Sequence, residues 1–388
     1  MKHICFVVNK YPTKLEPYML IFLQQLAWSM ADLGIKVSVI CPLPINIIPK
    51  YIKYPKHYIE KTSKGSSIDV YFPKTIGFGQ SHYIFGRSPV SLTIKYMEKA
   101  AAKVIKKMEP KPDVLYGHFL APSGIAAVRL GKKFNIPSFF AFGESHDTIG
   151  QFGLEKARKE LESICGIIAV SGFLKDQLIT NKLVPESKVE VFPNGYRNDR
   201  FKQYEKKVAR KKFNLPEDEI IAGFVGGFSN RKGILRVEEA VDRTENVKFI
   251  CAGAGELQPH SKRCLFSKAL KPEEIPYFNS AADFFVLPTL LEGCSNAVVE
   301  AMACGLPVIS SDLPFNDDIL DPSCSIRVDP NSIDEIYEAI NTLSSNEQLR
   351  KKLSEGALAK AKTLTLEARA TNIINFIDRK IMESNHAD

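Results

Sequence analysis

At 388 residues the chain is too long for one ordinary hydrophobic core, so its length favours two domains. Hydrophobic residues make up 45% and charged residues 25%, which is typical of a globular protein and argues against extended disorder. No run of about twenty apolar residues occurs, so no transmembrane helix is predicted. The eight cysteines include no CxxC pair and no Cys/His cluster, which predicts reduced thiols in a cytosolic protein and no metal site.

The formal net charge of +8 is unevenly distributed along the chain. Residues 1–199 carry 27 Lys and Arg against 16 Asp and Glu, a balance of +11, whereas the remainder carries 25 against 28, a balance of −3. A basic first half favours an anionic partner: a membrane surface, a lipid diphosphate or a nucleic acid. Nucleic acid is disfavoured because no nucleic-acid motif accompanies the charge, and a basic surface that only aids solubility remains an alternative.

The first elements form a βαβ pattern. Residues 4–8 are too short an apolar run for a signal peptide and predict a strand, followed by a loop that contains Glu16. Residues 18–33 predict a helix that Gly34 ends. Residues 43–64 then interleave basic with aromatic and aliphatic side chains, which fits either a membrane interface or a long loop that packs its own side chains.

Two polar residues follow predicted strands further along the first half. His118 follows the strand at 114–116, and Glu144 follows the strand at 138–142. The carboxyl ends of parallel strands are where open α/β sheets bind ligands, so both are candidates for contact with a sugar. A lone His is also often structural. The sequence Pro-Asn-Gly at 193–195 then predicts a tight turn, and the charged segment 198–212 is interpreted as a linker.

The second half opens with a candidate phosphate loop. A strand at 220–225 leads into the sequence GGFSNRKG and then into a helix. Arg231 and Lys232 stand where that helix begins, and cations there oppose the helix dipole unless an anion lies between them. Both are therefore candidate phosphate ligands.

Residues 284–310 predict a strand, a polar loop, a helix and another strand. Glu292 and Gly293 lie in the loop, and Glu300 lies in the second turn of the helix. The unpaired N–H groups of Ser295, Asn296 and Ala297 at the helix N-terminus favour a phosphate, while the two carboxylates suit hydroxyl groups. A sugar nucleotide fits this combination.

The stretch resembles the signature of the retaining family 4 glycosyltransferases, with two glutamates in Glu-x7-Glu spacing. The resemblance implies an α/β fold of the GT-B type: two Rossmann-like, doubly wound domains with a cleft between them. It assigns an acceptor-binding domain to residues 1–199, a nucleotide-sugar-binding domain to 200–365 and a helix that crosses back to 366–388. It also implies that Glu292 binds donor-sugar hydroxyls and Glu300 the ribose, and that His118 contacts the donor sugar.

The chain departs from the family pattern in two loops. The first loop lacks the usual Gly-Gly pair and has Pro12 to Lys14 with Glu16 instead, and Glu16 is a candidate for contact with the acceptor or donor sugar. Relatives commonly have Arg where Gly227 stands, five residues before Lys232. Either Arg231 replaces that Arg or Lys232 alone holds the diphosphate.

The resulting expectation is a retaining hexosyltransferase. It would move a sugar from a nucleoside diphosphate, UDP on base rates alone, to a hydroxyl of a glycan or lipid-linked acceptor, in cell-surface polysaccharide biosynthesis. Same-face attack is favoured, with Lys232 and the helix N-terminus stabilising the departing diphosphate, so that neither a divalent metal nor a further cofactor is required. The expected location is the cytoplasm, with association at the inner face of the membrane.

Other classes remain open to different degrees. A sugar-nucleotide epimerase can share the architecture, and it would turn over the donor without an acceptor. A non-catalytic sensor would bind the donor and show no turnover. A dinucleotide oxidoreductase is disfavoured because no GxGxxG follows a predicted strand.

Overall fold

The computed structural model describes residues 1–78, 89–144 and 147–385. The chain forms two compact units: unit 1 comprises residues 1–192 and 369–388, and unit 2 comprises residues 193–368. These divisions lie a few residues from the boundaries at 199 and 365 expected from the sequence. The last three residues of the expected terminal segment lie outside the described part of the chain.

The main sheet of unit 1 has eight strands. Two short strands, β3 and β6, pair separately in parallel. In chain order the strands are β1 His3–Val7, β2 Lys36–Ile40, β3 Leu43–Pro44, β4 His57–Lys61, β5 Ser67–Tyr71, β6 Lys74–Thr75, β7 Val114–His118, β8 Ser138–Phe142, β9 Gly166–Ala169 and β10 Val189–Val191. The sheet order is β10-β9-β8-β7-β1-β2-β5-β4, and β4 is antiparallel to β5 whereas the other pairs are parallel.

Helices cover this sheet. They are α1 Ile21–Asp32, α2 Val90–Ile105, α3 Ile125–Phe134, α4 Thr148–Phe152, α5 Leu154–Leu161 and α6 Gly172–Thr180, with short helical turns at Pro49–Lys53, Leu120–Gly124 and Glu186–Lys188. Every residue of the central strand β1 is buried, as expected for a parallel strand covered on both faces. Helix α1 begins three residues later than predicted because Leu20 adopts a left-handed conformation, with φ of 49°.

Unit 2 contains a six-stranded parallel sheet of order β13-β12-β11-β14-β15-β16. Its strands are β11 Ile220–Val225, β12 Val247–Ala252, β13 Cys264–Lys268, β14 Phe284–Leu287, β15 Val308–Ser311 and β16 Ser325–Val328. Its helices are α7 Lys206–Lys212, α8 Ile234–Asp242, α9 Ile275–Ala281, α10 Asn296–Ala303, α11 Ile333–Ser345 and α12 Glu347–Ala361, with a helical turn at Pro314–Asn316.

The linker predicted at 198–212 is partly wrong, because its second half forms α7. Arg210 on this helix is buried, and its guanidinium donates to Asp283 Oδ2 at 2.8 Å and to the Ala281 carbonyl at 3.0 Å. A charge-rich segment therefore folds because a buried ion pair with further hydrogen bonds satisfies its cation.

The last helix, α13 Leu366–Asn385, packs on unit 1 through an apolar stripe that includes Ala370, Ile373 and Ile377. The Phe376 ring lies edge-on to Phe139 and Phe192, with centroids 6.1 and 5.8 Å apart. None of the helices in the described part of the chain is long and apolar enough to cross a membrane.

Both sheets reverse their winding direction at one point, between β1 and β7 in unit 1 and between β11 and β14 in unit 2. Such switch points leave a crevice at the carboxyl ends of the strands, where open α/β sheets bind ligands. The expected α/β class, with two doubly wound Rossmann-like units, is confirmed.

Candidate functional site

The switch point of unit 2 brings three predicted site residues together. Glu292, which is only 8% exposed, lies in the loop after β14. Its Oε1 accepts a hydrogen bond from Arg231 Nη1 at 2.7 Å and another from Lys232 Nζ. The two cations follow β11, and Glu292 follows β14. Because these strands are neighbours in the sheet, both cations lie close to the one carboxylate. The cluster of Arg231, Lys232 and Glu292 is called the switch-point cluster below.

Further contacts fix this cluster in place. Arg231 Nη1 also donates to the Leu291 carbonyl at 2.6 Å, and Thr289 Oγ1 lies 3.3 Å from Glu292 Oε1. The Lys232 side chain is largely buried, whereas that of Arg231 is 39% exposed. Lys232 therefore presents its charge from within the protein, and Arg231 presents its charge at the surface.

The glycine-rich loop before these cations packs closely against the loop after β12. A Cβ on Gly253 would lie 1.9 Å from the Gly226 carbonyl oxygen, so only glycine fits there. Gly233, which precedes α8, has φ of 82° and faces the Pro288 carbonyl. Gly227 differs, because the nearest atom to its Cβ position is the Ala254 oxygen at 3.9 Å, which leaves space for a side chain.

Helix α10 begins beside the switch-point cluster in sequence. Ser295 caps it, with Oγ accepting from the Val298 amide at 3.5 Å. Asn296 and Ala297 are the first residues of the helix, so their amides have no carbonyl partner within it. The positive end of the helix dipole lies at the same place. Gly293 lies between Glu292 and the buried Cys294 in the approach to this N-terminus. A helix N-terminus, which favours anions, thus directly follows the cluster in sequence.

Asn194 supports this loop, and sequence reasoning missed that role. Its Nδ2 donates to the Cys294 carbonyl at 3.0 Å, and its amide donates to Cys294 Sγ at 3.3 Å. The Pro-Asn-Gly sequence indicated only a tight turn. Nothing local to it identifies a partner a hundred residues away.

Glu300 lies on α10 as predicted, in a markedly different environment from Glu292. Burial raises the pKa of its carboxyl to about 8, even though Arg200 nearby favours the charged form. Within the described residues the carboxyl makes no ion pair or side-chain hydrogen bond. It is therefore largely protonated at neutral pH and has both a donor and an acceptor for a ligand hydroxyl.

In unit 1, His118 is the last residue of β7 and is buried against Phe22 and Phe119, with ring centroids 5.3 and 4.6 Å away. Burial, reinforced by the charge of Arg369, lowers the pKa of its imidazole to about 3. Its Nδ1 has no hydrogen-bond partner in the described part of the chain. His118 is thus a neutral imidazole at physiological pH.

Glu144 is buried just after β8, and its carboxylate accepts from the amides of Leu120 and Gly143. Burial outweighs these hydrogen bonds and raises its pKa to about 7. Leu120 is the first residue of the turn that follows His118 in the chain. His118 therefore precedes this turn, and Glu144 is hydrogen-bonded to its first residue.

Glu16 lies elsewhere in unit 1, in the wall of an apolar cavity, and its carboxylate accepts from the Tyr51 hydroxyl. The structure gives Glu16 no contact with His118 or Glu144. Within the described residues no cluster of three or more His, Cys, Asp or Glu side chains has the arrangement of a metal site.

Two known protein families match the chain. The family described as "Glycosyltransferase Family 4" matches residues 21–200, and the family described as "Glycosyl transferases group 1" matches residues 205–360. The chain belongs to the family 4 glycosyltransferases. The resemblance inferred from the Glu-x7-Glu stretch is thereby confirmed.

Relatives of this glycosyltransferase are found among bacterial enzymes of surface glycans. It is 25% identical over 363 residues to the putative teichuronic acid biosynthesis glycosyltransferase TuaC of Bacillus subtilis, covering 90% of both chains. It is 32% identical over 151 residues to the O-antigen biosynthesis glycosyltransferase WclY of Escherichia coli, covering 36% of this chain and 42% of the relative.

Solved glycosyltransferase structures share its fold. Sucrose-phosphate synthase from Thermosynechococcus elongatus superposes with a TM-score of 0.76 at 17% identity, over 99% of this chain and 100% of that one. Anabaena HepE, solved in complex with UDP and glucose, gives a TM-score of 0.70 at 16% identity, over 97% and 99%. The GT-B fold expected from the sequence is confirmed.

Proposed function

We propose that this glycosyltransferase is a retaining, metal-independent hexosyltransferase that uses a nucleoside diphosphate sugar, with UDP as the nucleotide. The observation that carries the proposal is the switch-point cluster, in which two cations converge on one carboxylate directly before the N-terminus of α10. This places positive charge and free amides at the crevice of a doubly wound sheet. That HepE was solved with UDP supports the choice of nucleotide.

Donor binding exchanges the partners of the cluster. The diphosphate takes over Lys232 and Arg231, together with the amides of Ser295, Asn296 and Ala297. Glu292 is then released to accept hydrogen bonds from the donor-sugar hydroxyls, while Glu300 pairs with the ribose. Glu292 carries one negative charge against two cations, so it compensates the largely buried Lys232 before the donor arrives, and the net positive charge that remains favours the diphosphate.

The chemical step is same-face substitution at the anomeric carbon. The bond from that carbon to the diphosphate oxygen breaks as the acceptor oxygen bonds to the same face, and the departing diphosphate oxygen takes the acceptor's proton. Lys232 and the N-terminus of α10 stabilise the negative charge that develops on the leaving group. His118, neutral at physiological pH, contributes a hydrogen bond to the donor sugar. Glu144 positions the turn at Leu120–Gly124 by accepting a hydrogen bond from the Leu120 amide.

The proposed acceptor is a hydroxyl of a glycan or lipid-linked glycan, and the proposed role is assembly of a cell-surface polysaccharide. TuaC and WclY, named for teichuronic acid and O-antigen biosynthesis, support this role. The basic balance of residues 1–199 supports a cytoplasmic protein that associates with an anionic membrane surface.

Lys232 is the residue whose replacement tests the proposal most simply. We expect Lys232→Met to lower the affinity for UDP at least tenfold, about 1.4 kcal/mol, in isothermal titration. The exposed Lys262→Met is the control and should bind UDP as the wild type does.

Turnover then separates the enzyme classes. With a UDP-hexose and a glycan-lipid extract, the wild type should form a product whose new linkage keeps the donor's anomeric configuration by NMR. Consumption of the donor without acceptor would indicate an epimerase, binding without turnover a sensor, and full transfer by Lys232→Met would contradict the mechanism.

A further inference from the structure

A cavity of about 300 Å³ lies in unit 1 at the carboxyl ends of β1 and β2. Its wall includes Asn9 and Lys10, just after β1, and the residues from Cys41 to Pro44, just after β2. Its volume is at the lower end of the range of small-molecule sites, about 300–1000 Å³. Among the candidate site residues of this chain, Glu16 lines it.

The wall is mainly apolar, with the aliphatic side chains of Leu43, Ile48 and Met97 beside aromatic side chains such as Tyr11 and Phe78. Its carboxylate, Glu16, is engaged by the Tyr51 hydroxyl, so this acid is not left without a donor. A wall of this composition gains most from a ligand that has an apolar part long enough to fill it.

The mouth of the cavity is itself apolar. Ile47 and Ile76 line the cavity, yet they are 51% and 42% exposed, so the cavity opens to solvent beside them. Ile52 follows the lining residue Tyr51 on the turn at Pro49–Lys53, and it too is exposed. Exposed aliphatic side chains around an aliphatic cavity mark a binding surface.

Cations accompany this apolar mouth. Lys10 is exposed and forms part of the wall. Lys50 and Lys53 are exposed on the same helical turn as Tyr51. Lysine side chains beside an aliphatic opening are complementary to a ligand that joins a hydrocarbon chain to an anionic group such as a phosphate.

The inner end of the cavity lies at the switch point of the sheet. The Asn9 amide donates to Ser123 Oγ at 3.0 Å, and the Ser123 hydroxyl donates to Asn9 Oδ1 at 3.1 Å. Ser123 belongs to the turn that follows His118, so Asn9 joins the cavity wall to that turn. A ligand in the cavity therefore has one end where doubly wound sheets bind substrates.

We propose that this cavity binds the hydrocarbon chain of a phosphate-bearing lipid, and that this lipid carries the acceptor hydroxyl. The hydrocarbon chain lies against the apolar wall and leaves past Ile47 and Ile76, so that the head group lies at the Asn9 end, where Lys10 pairs with the phosphate. The proposal deepens the proposed transferase function and depends on it for the role of the lipid, but not for the binding itself.

The test measures lipid binding without any sugar nucleotide, on the full-length protein. Farnesyl phosphate, below its aggregation concentration, is titrated into the protein by calorimetry. Ile47→Trp should block the mouth and weaken binding at least tenfold. Ile59→Trp is the matched control, because Ile59 lies on β4, is 60% exposed and does not line the cavity, and it should bind as the wild type does.

Further arms separate the chemistry and the source of the ligand. Farnesol and inorganic phosphate should each bind at least tenfold more weakly than farnesyl phosphate, and Lys10→Gln should reduce the difference between farnesyl phosphate and farnesol. Competition of phosphatidylglycerol vesicles for the same site would assign it to bulk membrane lipid and overturn the acceptor role.

Absence of farnesyl phosphate binding by the wild type, or equal binding by the two Trp variants, would overturn the proposal outright. The titration with UDP is run on the same samples. UDP binding without lipid binding would reject the lipid site and leave the proposed transferase function intact. Lipid binding without UDP binding would reject the donor site and leave the lipid site intact.

Discussion

His118, Glu144, Glu292 and Glu300 lie at the carboxyl end of a strand, in the loop after one, or in the helix that follows, but their environments differ. Glu292 is matched by two cations, whereas Glu300 and His118 have no charged partner within hydrogen-bond distance in the described residues. Burial therefore shifts Glu300 and His118 toward their neutral forms. Each shift has a consequence that solution experiments detect.

The first concerns His118. Because burial lowers the pKa of its imidazole to about 3, the side chain should stay neutral from pH 5 to 8, and the contribution of His118 to the free energy of unfolding should fall only as the pH drops below the ordinary His value of 6.5. Histidine-labelled NMR, with His118→Gln for assignment, follows the ring directly. A midpoint near 6.5 for this resonance would contradict the structure.

The second concerns Glu300. Folding raises the pKa of its carboxyl from the usual 4.5 to about 8, so the folded protein binds one more proton than the unfolded chain between these values. The free energy of unfolding therefore falls as the pH rises through this window, by on the order of 1–3 kcal/mol. Thermal or urea denaturation at pH 5 and pH 8 measures the fall.

Glu300→Gln should remove the part of this fall that Glu300 contributes and leave the part that comes from Glu144, whose pKa is also raised, to about 7. Glu355→Gln, at an exposed position of α12, should leave the fall unchanged. Parallel pH profiles for the wild type and Glu300→Gln would show that Glu300 is solvated and charged at neutral pH.

At the scale of elements, α10 is held by one cap that is also close to the proposed phosphate site. Ser295→Ala removes the hydrogen bond to the Val298 amide and should cost about 1 kcal/mol of stability. Ser332→Ala removes the equivalent bond to the Glu335 amide at the start of α11 and should cost a similar amount. Only Ser295→Ala should also weaken UDP binding by calorimetry. Equal UDP affinities in the two variants would contradict contact between the N-terminus of α10 and the diphosphate.

In the glycine-rich loop after β11, a substitution is expected to tighten UDP binding rather than weaken it. The Cβ position of Gly227 has 3.9 Å of clearance, so Gly227→Arg should fold normally and restore the Arg common among relatives. A charged hydrogen bond to the diphosphate, offset by side-chain ordering, should tighten UDP binding about fivefold. Gly253→Ala, whose Cβ would lie 1.9 Å from the Gly226 carbonyl, should instead destabilise the protein. Unchanged or weaker UDP binding in a folded Gly227→Arg would place the diphosphate away from this loop.

The elements themselves were largely predictable, because apolar runs and glycine stops are local signals. The strands at 138–142 and 220–225 were predicted with the bounds that the structure gives. Helix α7 was missed, since Arg210 is satisfied by Asp283, a partner distant in sequence. The late start of α1 depends on the backbone conformation of Leu20, which its residue type does not indicate.

The site was predictable only in part, for the same physical reason. Residue type and position selected Arg231, Lys232 and Glu292, but the closure of the three into one cluster depends on the pairing of β11 with β14. The support of Cys294 by Asn194 and the cavity between Asn9 and Met97 likewise arise from contacts between distant parts of the chain. The sequence allowed two interpretations of residues 43–64, a membrane interface or a long loop. The structure shows β3, a helical turn and β4 there, with Tyr51 packed inward, and the membrane interface stays a prediction.

At the scale of the whole molecule, two doubly wound units divide the work in the proposed account. The proposals assign the nucleotide sugar to the switch-point cluster of unit 2, and a sugar contact by His118 and the lipid cavity to unit 1. The basic balance of +11 in residues 1–199 is consistent with that division, because both a lipid phosphate and an anionic surface favour cations there.

The most direct measurement is a crystal structure of the protein soaked with UDP-hexose. The account predicts the two phosphates within hydrogen-bond distance of Lys232 Nζ and the amides that start α10, with Glu292 turned from its cations to the sugar and Glu300 on the ribose. A donor bound elsewhere in the chain, or Glu292 and Glu300 both directed to bulk water in the complex, would contradict it.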